Sequence, residues 1–253
     1  MKLLDGDNVL YHYFKQDLVT EESPESKVIM KKLLRNLAIW LPINLYQRLP
    51  VLLPFVVRDS RCRKAVNKIA EEWGTSSADG YFRDDNTLIK SLPRSLKISG
   101  SNRTYDGCKL GKSFVASHIW RIVPDSSKLA SGDPLLNSFI PNLVWLPRQI
   151  SKFTDREGSF AQKYLQSLSY SIYHNVKMDS EKKKFVDNIW RRISVDTSVK
   201  TDNDDVQKLN FFHITNDDIE KRVVPTLEKT RFSPSTPMNC NKIDQTRFLN
   251  LSV

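Results

Sequence analysis

Residue types that can act on a phosphate ester occur within one stretch of this chain. His118 follows an apolar run, and Asn142 begins a second apolar run after a polar loop. A neutral imidazole with a pKa of about 6.5 accepts a proton at physiological pH, so a histidine placed here can act as a general base. A histidine after an apolar strand is, however, more often a hydrogen-bonded structural residue. Four basic side chains accompany the pair: Arg121, Arg148, Lys152 and Arg156. If the stretch acts on a nucleic acid such as DNA, they would bind its phosphates; otherwise they form a solvated basic surface.

The elements that would hold these residues are two short strands and a helix. Residues 113–120 and 142–146 are rich in aromatic and branched apolar side chains, which is typical of strands, and a polar loop with several prolines joins them. Pro147 then favours the start of a helix that extends to about residue 154. The predicted order is strand, loop, strand, helix, with His118 ending the first strand and Asn142 opening the second.

This stretch resembles the HNH, or ββα-metal, nuclease family. Residues 116–119 are Ala-Ser-His-Ile, residues 142–147 are Asn-Leu-Val-Trp-Leu-Pro, and residues 155–158 are Asp-Arg-Glu-Gly, which follow the order of the family's motif. The resemblance covers residues 114–158. It implies an α+β fold in which a small ββα-metal core, two short strands and a helix, is embedded in a mainly helical domain.

The resemblance also implies a role for each site residue. His118 would be the general base that activates water, and Asn142 would fix the loop that orients it; Asn137, in the same loop region, competes for that role. The family binds a divalent cation, so Mg²⁺ or Mn²⁺ is the expected cofactor. This chain has serines where the family has an acidic residue before its first histidine and a further histidine on its helix. The candidate metal ligands are therefore Ser117, Ser151 and Gln149.

The charge of the chain favours a polyanionic partner. Its 253 residues include 39 Lys and Arg against 29 Asp and Glu, a net charge of +10, and residues 51–200 hold 25 of the basic and 15 of the acidic ones. A concentrated basic charge is typical of nucleic-acid-binding proteins. Together with the resemblance it predicts a metal-dependent endonuclease for double-stranded DNA, of the type II restriction class and acting as a homodimer. A homing or other defence endonuclease is the nearest variant.

Two other classes of protein stay open at this point. A non-catalytic nucleic-acid-binding protein with a degenerate ββα core would also explain the two serines at ligand positions. A helical interaction protein would need no nucleic acid, but the central basic charge counts against it. Gly-rich phosphate-binding loops and a Ser nucleophile elbow are absent from the sequence. Asp155 with Glu181 and Lys183 matches the letters of another metal nuclease motif, but Glu181 opens a predicted helix, where that motif needs a strand.

The rest of the chain predicts a mainly helical scaffold. We expect a helical N-terminal region in residues 1–74, a loop-rich region containing the core in residues 75–158, a helical region packing on it in residues 159–200, and a polar C-terminal tail in residues 201–253. Periodic apolar residues and caps place helices at residues 24–40, from residue 60 to before residue 74, at residues 160–172, and from residue 180 to about residue 193.

The sequence also gives an expectation for the cellular compartment. No apolar run reaches the about 18 residues that a membrane span needs, and the first residues lack a secretory signal, so we expect a cytoplasmic protein with no membrane partner. The three cysteines are scattered, which argues against a disulfide framework and against a zinc site. The remaining histidines, His12, His174 and His213, lack a motif and are predicted to be structural.

Overall fold

A five-stranded sheet carries the segment that holds His118. The computed structural model describes residues 23–62, 73–75, 77–124, 128–196, 198–201 and 203–231. The strands are β1 (Ile39–Trp40), β2 (Val56–Arg58), β3 (Phe82–Asp84), β4 (Lys97–Gly100), β5 (Phe114–His118), β6 (Leu143–Pro147) and β7 (Asn210–His213). The α-helices are α1 (Pro24–Leu37), α2 (Ile43–Arg48), α3 (Thr87–Ser91), α4 (Arg148–Ser151), α5 (Phe160–Tyr173), α6 (Ser180–Trp190), α7 (Asn203–Gln207), α8 (Asn216–Asp218) and α9 (Val224–Arg231).

Shorter helical segments connect these elements. They include the 3₁₀ segments Ser60–Cys62, Ala130–Gly132, Ile140–Asn142 and Lys152–Asp155, and the π-helical segment Ile219–Val223 between α8 and α9. Helices and strands are both present, so the fold is of the predicted α+β class.

The two strands predicted around His118 and Asn142 form the edge of the large sheet. Its order is β4-β7-β1-β6-β5, and β5 pairs with β6 antiparallel, with Ala116 opposite Trp145. The strand β6 lies between β5 and β1, and its residues Leu143–Leu146 are buried on both faces. This position explains why the sequence of β6 is an uninterrupted apolar run rather than an alternating one. The predicted helix after Pro147 is present as α4 followed by the 3₁₀ segment Lys152–Asp155.

The sheet also contains strands that the sequence pattern did not predict. The helix predicted for residues 24–40 starts as expected, with the Ser23 hydroxyl accepting a hydrogen bond from the Ser26 backbone N–H. It ends at Leu37, however, because Ala38 is extended, with φ −72° and ψ 135°. Residues 39–40 then form β1, which pairs with β6 on one side and β7 on the other. The prediction that the helix continues to residue 40 is therefore wrong at its end.

The segment predicted as a polar tail contributes to the centre of the sheet. Strand β7 runs parallel to β1 and antiparallel to β4. Its Phe212 is 1 % exposed and meets Trp145 edge-on, with the ring centroids 5.3 Å apart. The strand was not predicted because it is only four residues long and follows the polar residues 201–209.

One hydrophobic cluster joins the regions that the sequence analysis separated. It includes buried side chains from the N-terminal, central and C-terminal thirds of the described chain, among them Tyr46, Phe139, Tyr173 and Trp190. Most of the helix predicted from residue 60, together with His12 and Cys240, lies outside the described residues. Among the helices that the structure describes, none is long and apolar enough to cross a membrane.

Truncating Phe212 tests the position of β7 in the core. We expect Phe212→Ala to lower the free energy of unfolding by about 3–5 kcal/mol, because the substitution leaves a cavity beside Trp145. Urea or guanidinium unfolding measures this change. His213→Ala is the matched control, since His213 is the next residue of the strand and is exposed; we expect it to change stability by less than about 0.5 kcal/mol. Equal effects of the two substitutions would contradict a central, buried β7.

Candidate active site

A cleft lies beside the end of β5 and is lined by His118. Its volume is about 330 Å³, and its walls come from β2, β5, α3, α4 and the 3₁₀ segments Ala130–Gly132 and Lys152–Asp155. We call this depression the His118 cleft. Its lining includes residues of the stretch 114–158 together with Arg58, Asn86 and Lys90 from earlier in the chain. The lining of the cleft therefore combines residues from distant parts of the chain and is not confined to residues 114–158.

The imidazole of His118 is held in one tautomer. Its Nε2 lies 2.8 Å from the backbone carbonyl oxygen of Asn137. A carbonyl oxygen only accepts hydrogen bonds, so Nε2 must carry the proton and donate it. In the neutral ring the other nitrogen, Nδ1, then has its lone pair available. This is the arrangement that a general base needs: one nitrogen fixed by a hydrogen bond and the other able to accept a proton.

The surroundings of His118 keep the ring neutral. Burial, together with the positive charges of Arg58 and Arg121, lowers its pKa from 6.5 to about 4, against the opposing effect of hydrogen bonding to Asn137. At neutral pH the imidazole is consequently uncharged and can accept a proton. Its basicity is reduced by the same two arginines that would attract an anion.

Asn142 connects the histidine to the loop that orients it. The side chain is fully buried; its Nδ2 donates to the carbonyl of Leu136 over 2.9 Å, and its Oδ1 accepts from the backbone N–H of Trp120 over 2.7 Å. Leu136 precedes the residue that binds His118, and Trp120 lies two residues after His118. One amide side chain thus joins the loop and the end of β5, which agrees with the positioning role expected of Asn142.

Asn137, the competing asparagine, acts through its backbone. Its carbonyl accepts the hydrogen bond from His118, while its side-chain Nδ2 donates to the carbonyl of Val56 in β2 over 3.1 Å. Asn137 therefore binds the imidazole and ties the loop to the strand that carries Arg58. The two asparagines have complementary roles in the geometry.

Cationic side chains dominate the lining of the His118 cleft. Among the described residues, five line it: Arg58, Lys90, Arg121, Arg148 and Lys152. Arg58 forms an ion pair with the buried Asp85, with 3.0 Å between Nε and Oδ1. Three of the four residues predicted to bind DNA are in this set, whereas Arg156 is exposed and does not line the cleft. No sequence motif marks Arg58 or Lys90, which reach the cleft only through the tertiary fold.

The predicted metal ligands are not brought together as a set. Ser117 and Ser151 line the cleft, but the hydroxyl of Ser151 donates to the carbonyl of Arg148 over 2.8 Å, and Gln149 does not line the cleft. The described residues contain no group of three or more His, Cys, Asp or Glu side chains that would hold a metal ion. The residue with the strongest ligand chemistry is one that the prediction did not name as a ligand, Asp155.

Asp155 is the only carboxylate among the described residues that line the His118 cleft. It ends the 3₁₀ segment Lys152–Asp155 and lies four residues after Ser151, one helical turn along the chain. Desolvation raises its pKa, while Arg121, Arg58 and Lys152 act in the opposite direction. The signal for it was present in the sequence, because Asp155 opens the Asp-Arg-Glu-Gly segment of the resemblance.

The other described histidines have structural surroundings. His174 follows α5 and stacks on Tyr170, with the ring centroids 4.1 Å apart. His213 ends β7 and is exposed. Neither lines the His118 cleft, which leaves His118 as the histidine in a position to act as a base among the described residues.

Removing the Asn142 amide tests its connecting role. We expect Asn142→Ala to lower the free energy of unfolding by about 2–5 kcal/mol, because the Trp120 N–H and the Leu136 carbonyl are left buried and unpaired, at about 1–3 kcal/mol each. Chemical denaturation measures the loss. The control Asn188→Ala lies on an exposed position of α6 and should stay within about 0.5 kcal/mol of the wild type. A similarly small change for Asn142→Ala would mean that the two hydrogen bonds do not hold the loop.

Comparison of the chain with protein-family models, with curated proteins and with solved structures gives no match. The geometry of the His118 cleft therefore carries the functional argument.

Proposed function

We propose that this protein is a nuclease that hydrolyses phosphodiester bonds of DNA, with His118 as the general base. One observation carries the proposal. An imidazole fixed as the Nε2–H tautomer by the Asn137 carbonyl lies in a cleft lined by five cationic side chains. This combination supplies both requirements of the reaction, a base for water and positive charge for the phosphate.

In the proposed reaction, Nδ1 of His118 takes a proton from the attacking water as the water oxygen bonds to phosphorus; the bond between phosphorus and the 3′ oxygen breaks, and that oxygen takes a proton from solvent. The hydrogen bond to Asn137 prevents the ring from rotating and stabilises the imidazolium that forms, because the Nε2–H···O hydrogen bond strengthens when the ring becomes charged. Asn142 is a positioning residue in this scheme. It holds both the strand end that carries His118 and the loop that carries its acceptor.

The basic side chains bind the phosphate and also adjust the base. Arg121, Arg148 and Lys152 line the cleft within the stretch 114–158, and Arg58 joins them from β2. The positive charges of Arg58 and Arg121 lower the pKa of His118. A bound phosphate would offset part of that charge and raise the pKa toward its ordinary value. A bound phosphate thus makes His118 a stronger base than it is in the empty cleft.

Asp155 is the residue that would hold a divalent cation. Mg²⁺ commonly binds through one or two carboxylates together with phosphate oxygens and water, and the cleft offers one carboxylate next to the proposed phosphate site. This donor set fits Mg²⁺ or Mn²⁺ better than the neutral hydroxyls of Ser117 and Ser151. When bound, the cation would stabilise negative charge on the phosphate and on the leaving oxygen.

Type II restriction specificity and the homodimer come from the resemblance alone, and double-stranded DNA as the substrate comes from the resemblance together with the basic charge. These features, and the cytoplasmic location expected from the sequence, stay predictions. A homodimer would follow from cutting both strands of a palindromic site about a two-fold axis. Sedimentation of the protein with and without a DNA duplex measures that stoichiometry.

The proposal is tested by incubating plasmid DNA with the protein and Mg²⁺ or Mn²⁺. We expect cleavage, and we expect His118→Ala to slow it by about 10²–10⁴-fold, the usual contribution of a general base. His213→Ala, an exposed histidine outside the cleft, should cleave at the wild-type rate. Retardation of DNA without cleavage in either metal would overturn the catalytic proposal and support the binding-only alternative. Absence of retardation at low salt would overturn both, because phosphate contacts are strongest there.

A separate measurement tests the assignment of Asp155. Titration of Mn²⁺ followed by the electron paramagnetic resonance signal of the free ion reports binding without requiring turnover. We expect Asp155→Asn to weaken Mn²⁺ binding at least about tenfold, because a charged oxygen ligand is replaced by a neutral amide. The matched control is Glu157→Gln, an exposed carboxylate outside the cleft lining. If Ser117→Ala or Ser151→Ala abolishes binding while Asp155→Asn does not, the assignment is wrong.

A further inference from the structure

A second basic depression lies at the start of α5. It has a volume of about 450 Å³ and is lined by four lysines, Lys27, Lys31, Lys163 and Lys200, together with Gly158 and Phe160. We call it the lysine groove. It is formed by α1, by the start of α5 and by the segment that follows α6, so residues far apart in the sequence converge on it.

The lysine groove is strongly positive. No carboxylate is among the described residues that line it. Lys163 pairs with Asp196, with 2.9 Å between Nζ and Oδ2, which offsets one of the four positive charges. Lys31 donates from Nζ to the backbone carbonyl of Lys200 over 3.3 Å, a contact that leaves both side-chain charges in place.

Aromatic rings hold two of these lysines in position. The Nζ of Lys27 lies 5.8 Å from the centroid of the Phe160 ring, and the Nζ of Lys31 lies 5.4 Å from the centroid of the Tyr164 ring. The two rings are stacked, with 2° between their planes. Cation–π contacts of this kind fix the ammonium groups without neutralising them.

The four lysines supply the attraction for an anion. Two N–H groups at the start of α5 already have acceptors: the Gly158 N–H donates to Gln162 Oε1 over 2.7 Å, and the Gln162 N–H donates to Ser159 Oγ over 3.3 Å. A ligand of the groove is therefore recognised by charge, which is how proteins bind a phosphate backbone irrespective of its sequence.

A short segment connects the two basic depressions. Asp155 lines the His118 cleft, and Gly158 lines the lysine groove. Three peptide units separate them, so their Cα atoms are at most about 11 Å apart. Arg156 lies between them and is exposed. Phosphates on one strand of DNA advance about 3.4 Å each along the helix axis, so a segment this short spans no more than about three nucleotides along that axis.

We propose that the lysine groove binds the DNA backbone within about three nucleotides of the scissile phosphate, with Arg156 contacting the phosphates between the two depressions. The inference rests on the proposed nuclease function and adds a second contact region for the same DNA. It also accounts for Arg156, which was predicted to bind DNA: this residue lies between the two depressions in the chain and not in the lining of the His118 cleft.

The test measures affinity without cleavage. In the His118→Ala background, binding of a fluorescein-labelled 30-base-pair duplex is followed by anisotropy between 50 and 200 mM salt. Each lost phosphate contact lowers the slope of log affinity against log salt by about 0.9, so Lys31→Gln with Lys200→Gln should lower it by about 1.8 and weaken binding about 10- to 100-fold at 50 mM salt. Far-UV circular dichroism checks folding. If the double variant does not fold, Lys200→Gln alone, at an exposed residue, should lower the slope by about 0.9.

A pair of lysines at the other end of α5 provides the matched control. Lys177 and Lys184 are exposed and lie beyond the C-terminal end of α5, about 20 Å along a helix of 14 residues. Their double Gln substitution removes the same charge and should leave the slope near the wild-type value. Equal slopes for the two double variants would overturn the groove assignment. A change of slope with a single-stranded RNA probe but not with the DNA duplex would overturn DNA as the ligand.

The nuclease proposal is judged by a different substrate. Hydrolysis of bis(4-nitrophenyl) phosphate with Mg²⁺ or Mn²⁺ needs the His118 cleft but not the lysine groove, so the wild type should hydrolyse it and His118→Ala should do so about 10²–10⁴-fold more slowly. Failure of this reaction counts against the proposed function, whereas the salt slope alone decides the lysine groove.

Discussion

The buried amide of Asn142 is the constraint on which the candidate site depends. Its two hydrogen bonds join the backbone of Trp120, just after β5, to the backbone of Leu136 in the loop before β6. Because the next residue of that loop supplies the carbonyl that binds His118, the amide fixes donor and acceptor relative to each other. The pairing of β5 with β6 gives the strands their register, and the Asn142 side chain links the end of β5 directly to the loop between them.

The charge state of His118 depends on the same hydrogen-bonded arrangement of the loop and β5. The hydrogen bond to Asn137 places the imidazole beside Arg58 and Arg121, and burial together with these charges keeps His118 neutral. The positive charge of the empty cleft destabilises an imidazolium, and a bound anion reduces this effect and raises the pKa of His118. The proposed reaction therefore requires the phosphate to bind before His118 accepts a proton. This coupling links the basic charge of the central region to the chemistry proposed for it.

The sequence predicted local features well where the interactions are local. The strands predicted from short apolar runs at residues 113–120 and 142–146 form as Phe114–His118 and Leu143–Pro147. The helix after Pro147 and the helices predicted after Ser23 and Gly158 are also present. The role expected of Asn142 also agrees with its contacts. Strands β1 and β7 were not predicted, because β1 has two residues and continues an amphipathic helix pattern, and β7 has four residues in polar surroundings. Their formation depends on pairing across more than 160 residues of chain.

Site residues from outside the motif could not be predicted for the same reason. Arg58 and Lys90 reach the cleft from β2 and α3, and the sequence gives no spacing that relates them to His118. The predicted ligands Ser117, Ser151 and Gln149 follow the motif position by position, and that ligand set stays a prediction. The fold places a carboxylate that the prediction did not name as a ligand, Asp155, in the lining of the same cleft.

Nuclear magnetic resonance of the ¹⁵N-labelled His118 imidazole measures the tautomer and the pKa of this ring directly. The signal is identified by its loss in His118→Gln. We expect the Nε2–H tautomer at neutral pH and a titration midpoint of about 4, set by burial and by Arg58 and Arg121. Added inorganic phosphate should move the midpoint upward. An Nδ1–H tautomer, or a midpoint near 6.5 that does not respond to phosphate, would contradict a neutral base held by Asn137 in an anion-binding cleft.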